Sequence, residues 1–177
     1  MAGVDALAAE RFAPLWGKRV GVITNHTGMD ASGRRTIDLL HRAPGVKLAA
    51  VYTPEHGLTG KADAKVGNSR DAATGLPVYS LYGEGLRPKP ETLKGLDALV
   101  FDVQDAGVRF YTYMSTMAYA MEAAAGRGIE LYVLDRPNPI TAAAVAGPLL
   151  DADIRGFTAY FPLPVRHGMT LGELARM

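Results

Sequence analysis

Short apolar runs punctuate the chain, each closing on polar or glycine residues, and this pattern predicts an alternation of strands and helices. Five runs have strand length and are rich in β-branched or aromatic side chains: Arg19 to Thr24, Leu48 to Thr53, Pro77 to Leu81, Ala98 to Val103 and Glu130 to Leu134. The second, fourth and fifth are nearly continuous rather than alternating, as expected of strands covered on both faces in a parallel sheet. Between the first two, Gly33 to Arg42 places Ile37, Leu40 and His41 at helical spacing before Pro44-Gly45. Between the last two, Tyr111 to Ala125 is rich in alanine and methionine and ends at Gly126 and Gly128, which predicts a second crossover helix. Pro90 to Leu96 predicts one short helix. From Pro54 to Leu76 there is little periodicity, and a connection of that length in a compact domain is usually functional. The Pro137-Asn138-Pro139 segment is stiff, with a cis bond as one way of building its turn. The expected fold is α/β: an open, doubly wound, mainly parallel sheet with helices on both faces, binding its ligand beyond the carboxyl ends of the strands.

Composition narrows the function classes. With 177 residues, 48% of them hydrophobic, the chain can bury one sizeable core. A net charge of +1 argues against nucleic acid as a partner. No apolar run reaches the roughly 18 residues of a membrane span, and Met1-Ala2-Gly3-Val4-Asp5 lacks the order of a signal peptide, so no membrane partner and a cytoplasmic chain are expected. A longer, exported form is compatible with the same sequence. Without cysteine, disulfides, thiolate zinc sites and a cysteine nucleophile are excluded. At the end, Met169 to Met177 starts a helical pattern behind a threonine cap and stops after about two turns, so the chain is expected to continue into a larger protein.

The residues that follow the strands form a coherent chemical set. Asn25 and His26 follow the first, Glu55 and His56 the second, and Tyr82 the third. Asp102, Gln104, Asp105, Arg109 and Tyr111 follow the fourth, and Asp135, Arg136 and Asn138 the fifth; Arg166 and His167 come later. Acids, amides and arginines on one edge suit a polyhydroxylated ligand better than an apolar one. Within Pro54-Glu55-His56-Gly57, the Glu55 carboxyl sits on a tight turn after a buried strand, held and partly desolvated, which suits a proton donor. The plainer alternative is a helix cap or an arginine partner. Asp102 and Asp105 are candidates for the second carboxylate of glycoside cleavage, although a strand-end acid more commonly binds backbone amides. Arg109, Arg136 and Arg166 could read a ligand carboxylate, or pair with Asp105 and Asp135.

Other chemistries find less support. His26, His56 and His167 with Asp102 could surround a metal, yet there is no His-Glu-X-X-His helix and no close His-X-His pair, so neither metal nor cofactor is expected. The first turn, Thr24 to Gly28, lacks the glycine fingerprint of dinucleotide binding, and no Walker sequence is present. Ser80 and Ser115 lack a nucleophile elbow, and the tyrosines and methionines of Tyr111 to Met121 fit helix packing.

Taken in order, the longer motifs resemble one bacterial family. They are Gly21 to Asn25, Pro54 to Gly57, Gly75 to Gly83, Phe101 to Tyr113, Asp135 to Pro139 and Arg166 to Thr170. From about Arg19 to the last residue the sequence is similar to the NamZ-type, or YbbC-like, exo-β-N-acetylmuramidases. The resemblance implies a Rossmann-like N-terminal catalytic domain spanning residues 1–177, joined in the family to a C-terminal domain that is absent here, with the site in the cleft between them. It implies hydrolysis of a β-1,4 bond that releases N-acetylmuramic acid from the non-reducing end of peptidoglycan fragments such as MurNAc-GlcNAc. On that reading Glu55 is the principal acid, and Asp102 or Asp105 orients water or steadies the anomeric carbon. Arg109 or Arg136 reads the lactyl carboxylate, while Asn25, His26, His56, Gln104, Tyr111, Asn138, Arg166 and His167 bind the sugar. A glycan-binding module without turnover and a metal-dependent hydrolase are the competing classes. The sequence departs from the family after Pro139: Thr141-Ala142-Ala143-Ala144 and Ala146 stand where members carry glycines and a glutamate.

Overall fold

The computed structural model describes residues 1–60, 67–83, 85–151 and 153–177. Helix α1 (Gly3–Ala9) and a 3-10 turn (Ala13–Leu15) precede β1 (Arg19–Thr24), α2 (Thr36–Arg42) and β2 (Lys47–Thr53). Strands β3 (Ser69–Arg70) and β4 (Pro77–Ser80) follow, then a 3-10 turn (Pro90–Leu93), β5 (Ala98–Asp102), α3 (Tyr113–Ala125) and β6 (Glu130–Val133). The chain closes with β7 (Ala146–Leu149), β8 (Pro164–Arg166) and α4 (Leu171–Leu174). The main sheet has the order β3-β4-β2-β1-β5-β6, and its pairings are parallel except at the β3 edge. Counting only the parallel strands, the order is that of a doubly wound Rossmann-like sheet, with the reversal of winding between β1 and β5.

All five predicted strands are present, with ends shifted by a residue at most. Three elements had no apolar run to announce them: α1, the two-residue edge strand β3, and the β7–β8 hairpin, whose β7 is exposed throughout. Helix α2 starts at Thr36 rather than Gly33, because Met29 and Arg35 form a β-bridge that holds the preceding residues in a turn. The Pro90 element is a single 3-10 turn. Among the described residues no peptide bond is cis, so the stiffness around Asn138 comes from trans prolines. Of the long connection after Pro54, residues 61–66 lie outside the described residues. No helix among the described residues is long and apolar enough to cross a membrane.

Both faces of the sheet are covered, which is why the strands are continuous apolar runs. Val20, Val22, Ala98 and Val100 point to one side, against Val4 and Leu7 of α1 and Ile37 and Leu40 of α2. Ile23, Leu99 and Phe101 point to the other, against Met114, Met117 and Ala124 of α3 and Leu171 and Leu174 of α4. Burying each such aliphatic or aromatic side chain contributes about 1.5–3 kcal/mol. A bulge on β2 adjusts the facing: the register slips between Val20 and Gly21, so Leu48 and Val51 reach the same side despite their odd spacing. Gly21 is required where it stands, since a Cβ there would come within 2.8 Å of Tyr52 and 2.9 Å of Leu99.

The start of α2 is fixed by charge. The Arg35 guanidinium bonds Asp38 on its own helix and the buried Asp71 at 2.7 Å beyond β3. The Arg35 bond, with further donors from Thr74, holds the Asp71 carboxyl down at about 2 from its ordinary 3.8. A carboxyl depressed in the folded state stabilises fully above its unfolded pKa and loses that contribution as pH falls through the folded one. About a third of the Arg35 side chain faces solvent, which limits the effect, so we expect Asp71→Asn to cost about 1–2 kcal/mol at neutral pH. Urea denaturation across pH should show the gap between wild type and variant closing from pH 3.8 down to about 2.

Candidate functional site

The polar edge at the carboxyl ends of β1 and β5 is built by short connections. Thr24 Oγ1 donates to the Asp102 carbonyl at 2.8 Å, tying the two strand ends together. Gly28 lets the β1 loop fold onto that contact, because a Cβ there would lie 2.0 Å from Thr24 Oγ1. Buried Asn25 then organises the loop. Its Oδ1 accepts from the Thr27 amide (2.9 Å) and hydroxyl (2.6 Å), and its Nδ2 donates to the Tyr113 hydroxyl at 3.0 Å. Thr27 Oγ1 in turn accepts from the Gln104 amide at 2.9 Å, so the loops after β1 and β5 form one hydrogen-bonded unit with the start of α3.

The Pro54-Glu55-His56-Gly57 turn after β2 is closed by the Gly57 amide donating to the Pro54 carbonyl at 3.1 Å. His56 has φ +69°, a left-handed conformation that non-glycine residues adopt at a cost of order 1 kcal/mol or more. Half-buried Glu55 meets α3, where its Oε2 accepts from Thr112 Oγ1 at 2.9 Å. The Tyr82 hydroxyl is also hydrogen-bonded to Glu55, and that bond, with the carboxylate's charge, raises the Tyr82 pKa. Burial, then the neighbouring Tyr111, pushes the Tyr113 phenol well above its ordinary range; the two rings meet edge to face with centroids 4.7 Å apart. His26 and His56 line a cavity of about 740 Å³ with Asn25, Arg35, Arg70 and Asp71. The His26 ring lies over Gly60, where a Cβ would come within 2.2 Å of it.

The other sequence candidates separate from this group. Asp102 is fully buried and saturated: Arg136 Nε and Nη2 bind its two oxygens at 2.6 and 3.0 Å, and the Thr36 hydroxyl donates to Oδ2. The structure therefore corrects two expectations at once, since Asp102 is not open to water or a sugar and Arg136 is taken by Asp102. Arg136 also donates to the Met29 carbonyl at 2.9 Å. Asp105, 8% exposed, accepts from the Gly107 amide at 2.7 Å and faces buried His167, with Nε2 3.7 Å from Oδ2. His167 Nδ1 accepts from the Met169 amide, which places the ring proton on Nε2, toward the carboxylate. Both residues are buried, and Asp105 Oδ1 and His167 Nε2 have no hydrogen-bond partner among the described residues.

The remaining arginines and amides also hold the fold. Arg109 donates to the Pro148 carbonyl at 2.9 Å and to the Leu163 carbonyl, and Arg166 donates to the Ile140 carbonyl. Both thus fasten the β7–β8 hairpin. Asn138 spans Met169 O and the Ile140 amide, and Gln104 Nε2 donates to the Asp105 and Pro137 carbonyls. Asp135 binds the Gly172 amide and the Thr170 hydroxyl at the start of α4. In the departing loop, Thr141 takes φ +77°, a strained setting for a β-branched residue, with its hydroxyl accepting from the Ala143 amide. Among the described residues no three His, Asp or Glu side chains gather as metal ligands. Thr112, which bonds Glu55, looks in sequence like an ordinary helix-start residue, while Tyr82 and Tyr113 are visible there only as polar residues after strands.

Comparisons with known proteins agree with this architecture. A family profile described as "Exo-beta-N-acetylmuramidase NamZ, N-terminal" matches residues 20–177. The chain is 49% identical to the peptidoglycan beta-N-acetylmuramidase NamZ of Bacillus subtilis (strain 168), over 99% of this chain and 43% of that protein. Among solved structures, a DUF1343 family protein from Bacteroides fragilis superposes with a TM-score of 0.91 at 49% identity, covering 99% of this chain and 44% of that one. A second protein of that family and organism gives 0.84 at 36% identity, covering 99% and 45%. The chain therefore spans less than half the length of each of these relatives.

The buried pair gives this edge its testable stability. Asp102→Asn keeps the shape but leaves the Arg136 guanidinium buried without its counter-charge, a change that costs about 3 kcal/mol. Chemical denaturation of this chain should register that loss, whereas an Asp105→Asn variant, whose partner is a histidine 3.7 Å away, should lose less.

Proposed function

The chain belongs to the NamZ N-terminal family, and from that premise we propose that it carries the proton-donating carboxyl of an exo-β-1,4-N-acetylmuramidase. The full-length protein would release N-acetylmuramic acid from the non-reducing end of peptidoglycan fragments. The observation that carries this reading is Glu55: a carboxyl on a turn beyond a central parallel strand, held by the Thr112 hydroxyl, and adjacent in sequence to His56, which lines a mainly apolar cavity of about 740 Å³ together with Asn25, His26 and Arg35. Similarity to a peptidoglycan beta-N-acetylmuramidase supports the substrate class.

In the proposed reaction Glu55 gives its proton to the glycosidic oxygen as the bond to the anomeric carbon breaks. N-acetylglucosamine leaves with a free 4-hydroxyl, and water adds to the anomeric carbon and returns a proton to the site. Asp102 is committed to Arg136 and Thr36, and Asp105 is buried beside His167, so we place the second reacting group outside these two carboxylates. The same holds for the lactyl carboxylate, because Arg109, Arg136 and Arg166 are engaged with backbone or with Asp102. Asn25, His26 and His56, which line the cavity, remain the residues proposed to touch the sugar, whereas Gln104 is held by the Asp105 and Pro137 carbonyls and Tyr111 packs on Tyr113. A glycan-binding module would use the same edge without turnover.

Steady-state kinetics on a chromogenic muramide separate the two. In the full-length protein Glu55→Gln should lower kcat by about 100-fold or more with little change in KM. Near-normal release by this variant removes Glu55 from the role, and saturable binding without release by the wild type favours the module.

A further inference from the structure

Helix α3 begins at Thr112, yet the helix makes no use of that hydroxyl. A threonine at a helix start ordinarily accepts from an amide of the first turn, worth about 1 kcal/mol. This chain contains that arrangement elsewhere. Thr170, with extended backbone (ψ 166°), accepts from the Glu173 amide and completes a capping box, although α4 has only 4 residues. Thr112 has helical backbone (φ −78°, ψ −11°) and makes no capping bond, although α3 is the longer helix with 13 residues. Its hydroxyl instead donates to Glu55 Oε2 at 2.9 Å, across 57 positions of sequence.

The surroundings fix that donor. The Thr112 carbonyl accepts from the Thr116 amide and hydroxyl, anchoring the backbone of residue 112 in the first turn of α3. The next residue, Tyr113, is buried and bonded to Asn25. The Glu55 carboxyl, by contrast, sits at the end of a flexible side chain on a turn with a left-handed residue at position 56. A donor anchored on α3 therefore holds one oxygen of the carboxyl, and the Tyr82 hydroxyl is the second group bonded to it.

We propose that Thr112 is a positioning residue for Glu55, its hydroxyl holding Oε2 against the start of α3 in the orientation the reaction uses. The proposal rests on the assignment of Glu55 as the reacting carboxyl. It acts through geometry, so its loss falls on the chemical step rather than on binding.

The test uses the full-length protein with Thr112→Val, Thr112→Ser, Glu55→Gln and the double variant Thr112→Val with Glu55→Gln. Thr112→Val, which removes no cap, should keep the melting temperature within a few degrees while kcat on a chromogenic muramide falls about tenfold or more and KM stays within about twofold. Thr112→Ser should recover most of kcat. In the double variant Thr112→Val should cause no further loss, since the group it positions is already disabled. A kcat for Thr112→Val within twofold of wild type overturns the proposal, as does a loss that Ser does not recover. If Glu55→Gln is itself fully active, the catalytic assignment fails instead. Crystal structures then decide positioning independently of turnover: a Glu55 carboxyl that leaves its place in Thr112→Val and returns in Thr112→Ser supports the role, and one unmoved in Thr112→Val ends it.

Discussion

The carboxylate of Asp102 has no exposure to solvent, and the strand-end edge is assembled around it. It draws Arg136 from the segment after β6 and Thr36 from the first residue of α2, while its own carbonyl receives the Thr24 hydroxyl from the end of β1. Removing two such ions from water costs several kcal/mol each, and only close, bidentate geometry with an added hydroxyl offsets that penalty. The arrangement meets the condition: both oxygens are occupied, and Arg136 spends a further donor on Met29 O. One buried charge thereby sets the relative positions of β1, α2, β5 and the β6 connection, at the point where the winding of the sheet reverses.

With those ends fixed, the loops beyond them divide into two kinds. Residues that hold the scaffold are engaged by protein partners, as in the Arg109 contacts to hairpin carbonyls, the Arg166 contact to the Ile140 carbonyl and the Asp135 contacts to α4. Residues around Glu55 depart from what local stability favours: a histidine with positive φ and a threonine that leaves its helix uncapped. Such local costs persist where the surrounding structure enforces them, and they cluster where chemistry requires a fixed geometry.

The sheet was legible because its strands are covered on both sides, so burial wrote itself into continuous runs such as Leu48 to Thr53 and Ala98 to Val103. Elements without that cover were not: β3 is two exposed residues, and β7 carries Ala146 to Leu149 in the open. The site was half legible for a related reason. Position after a strand marks a residue as belonging to the edge, and that rule found Asn25, Glu55 and His56. It does not reveal what the side chain meets in three dimensions. Asp102 and Arg136 therefore read as ligand-facing although they face each other, and Thr112 read as an ordinary helix start although it meets a residue from another loop.

The proposed function makes a spatial claim: a muramic sugar would bind beyond the carboxyl ends of β1 and β2 with its glycosidic oxygen at Glu55. The most direct measurement is a crystal structure of the full-length protein carrying Glu55→Gln, soaked with the disaccharide MurNAc-GlcNAc. The account predicts the bridging oxygen within hydrogen-bonding distance of the side chain at position 55, about 3 Å, with the muramic ring against Asn25, His26 and His56. A disaccharide bound in one ordered pose with that oxygen out of reach of position 55 would contradict it.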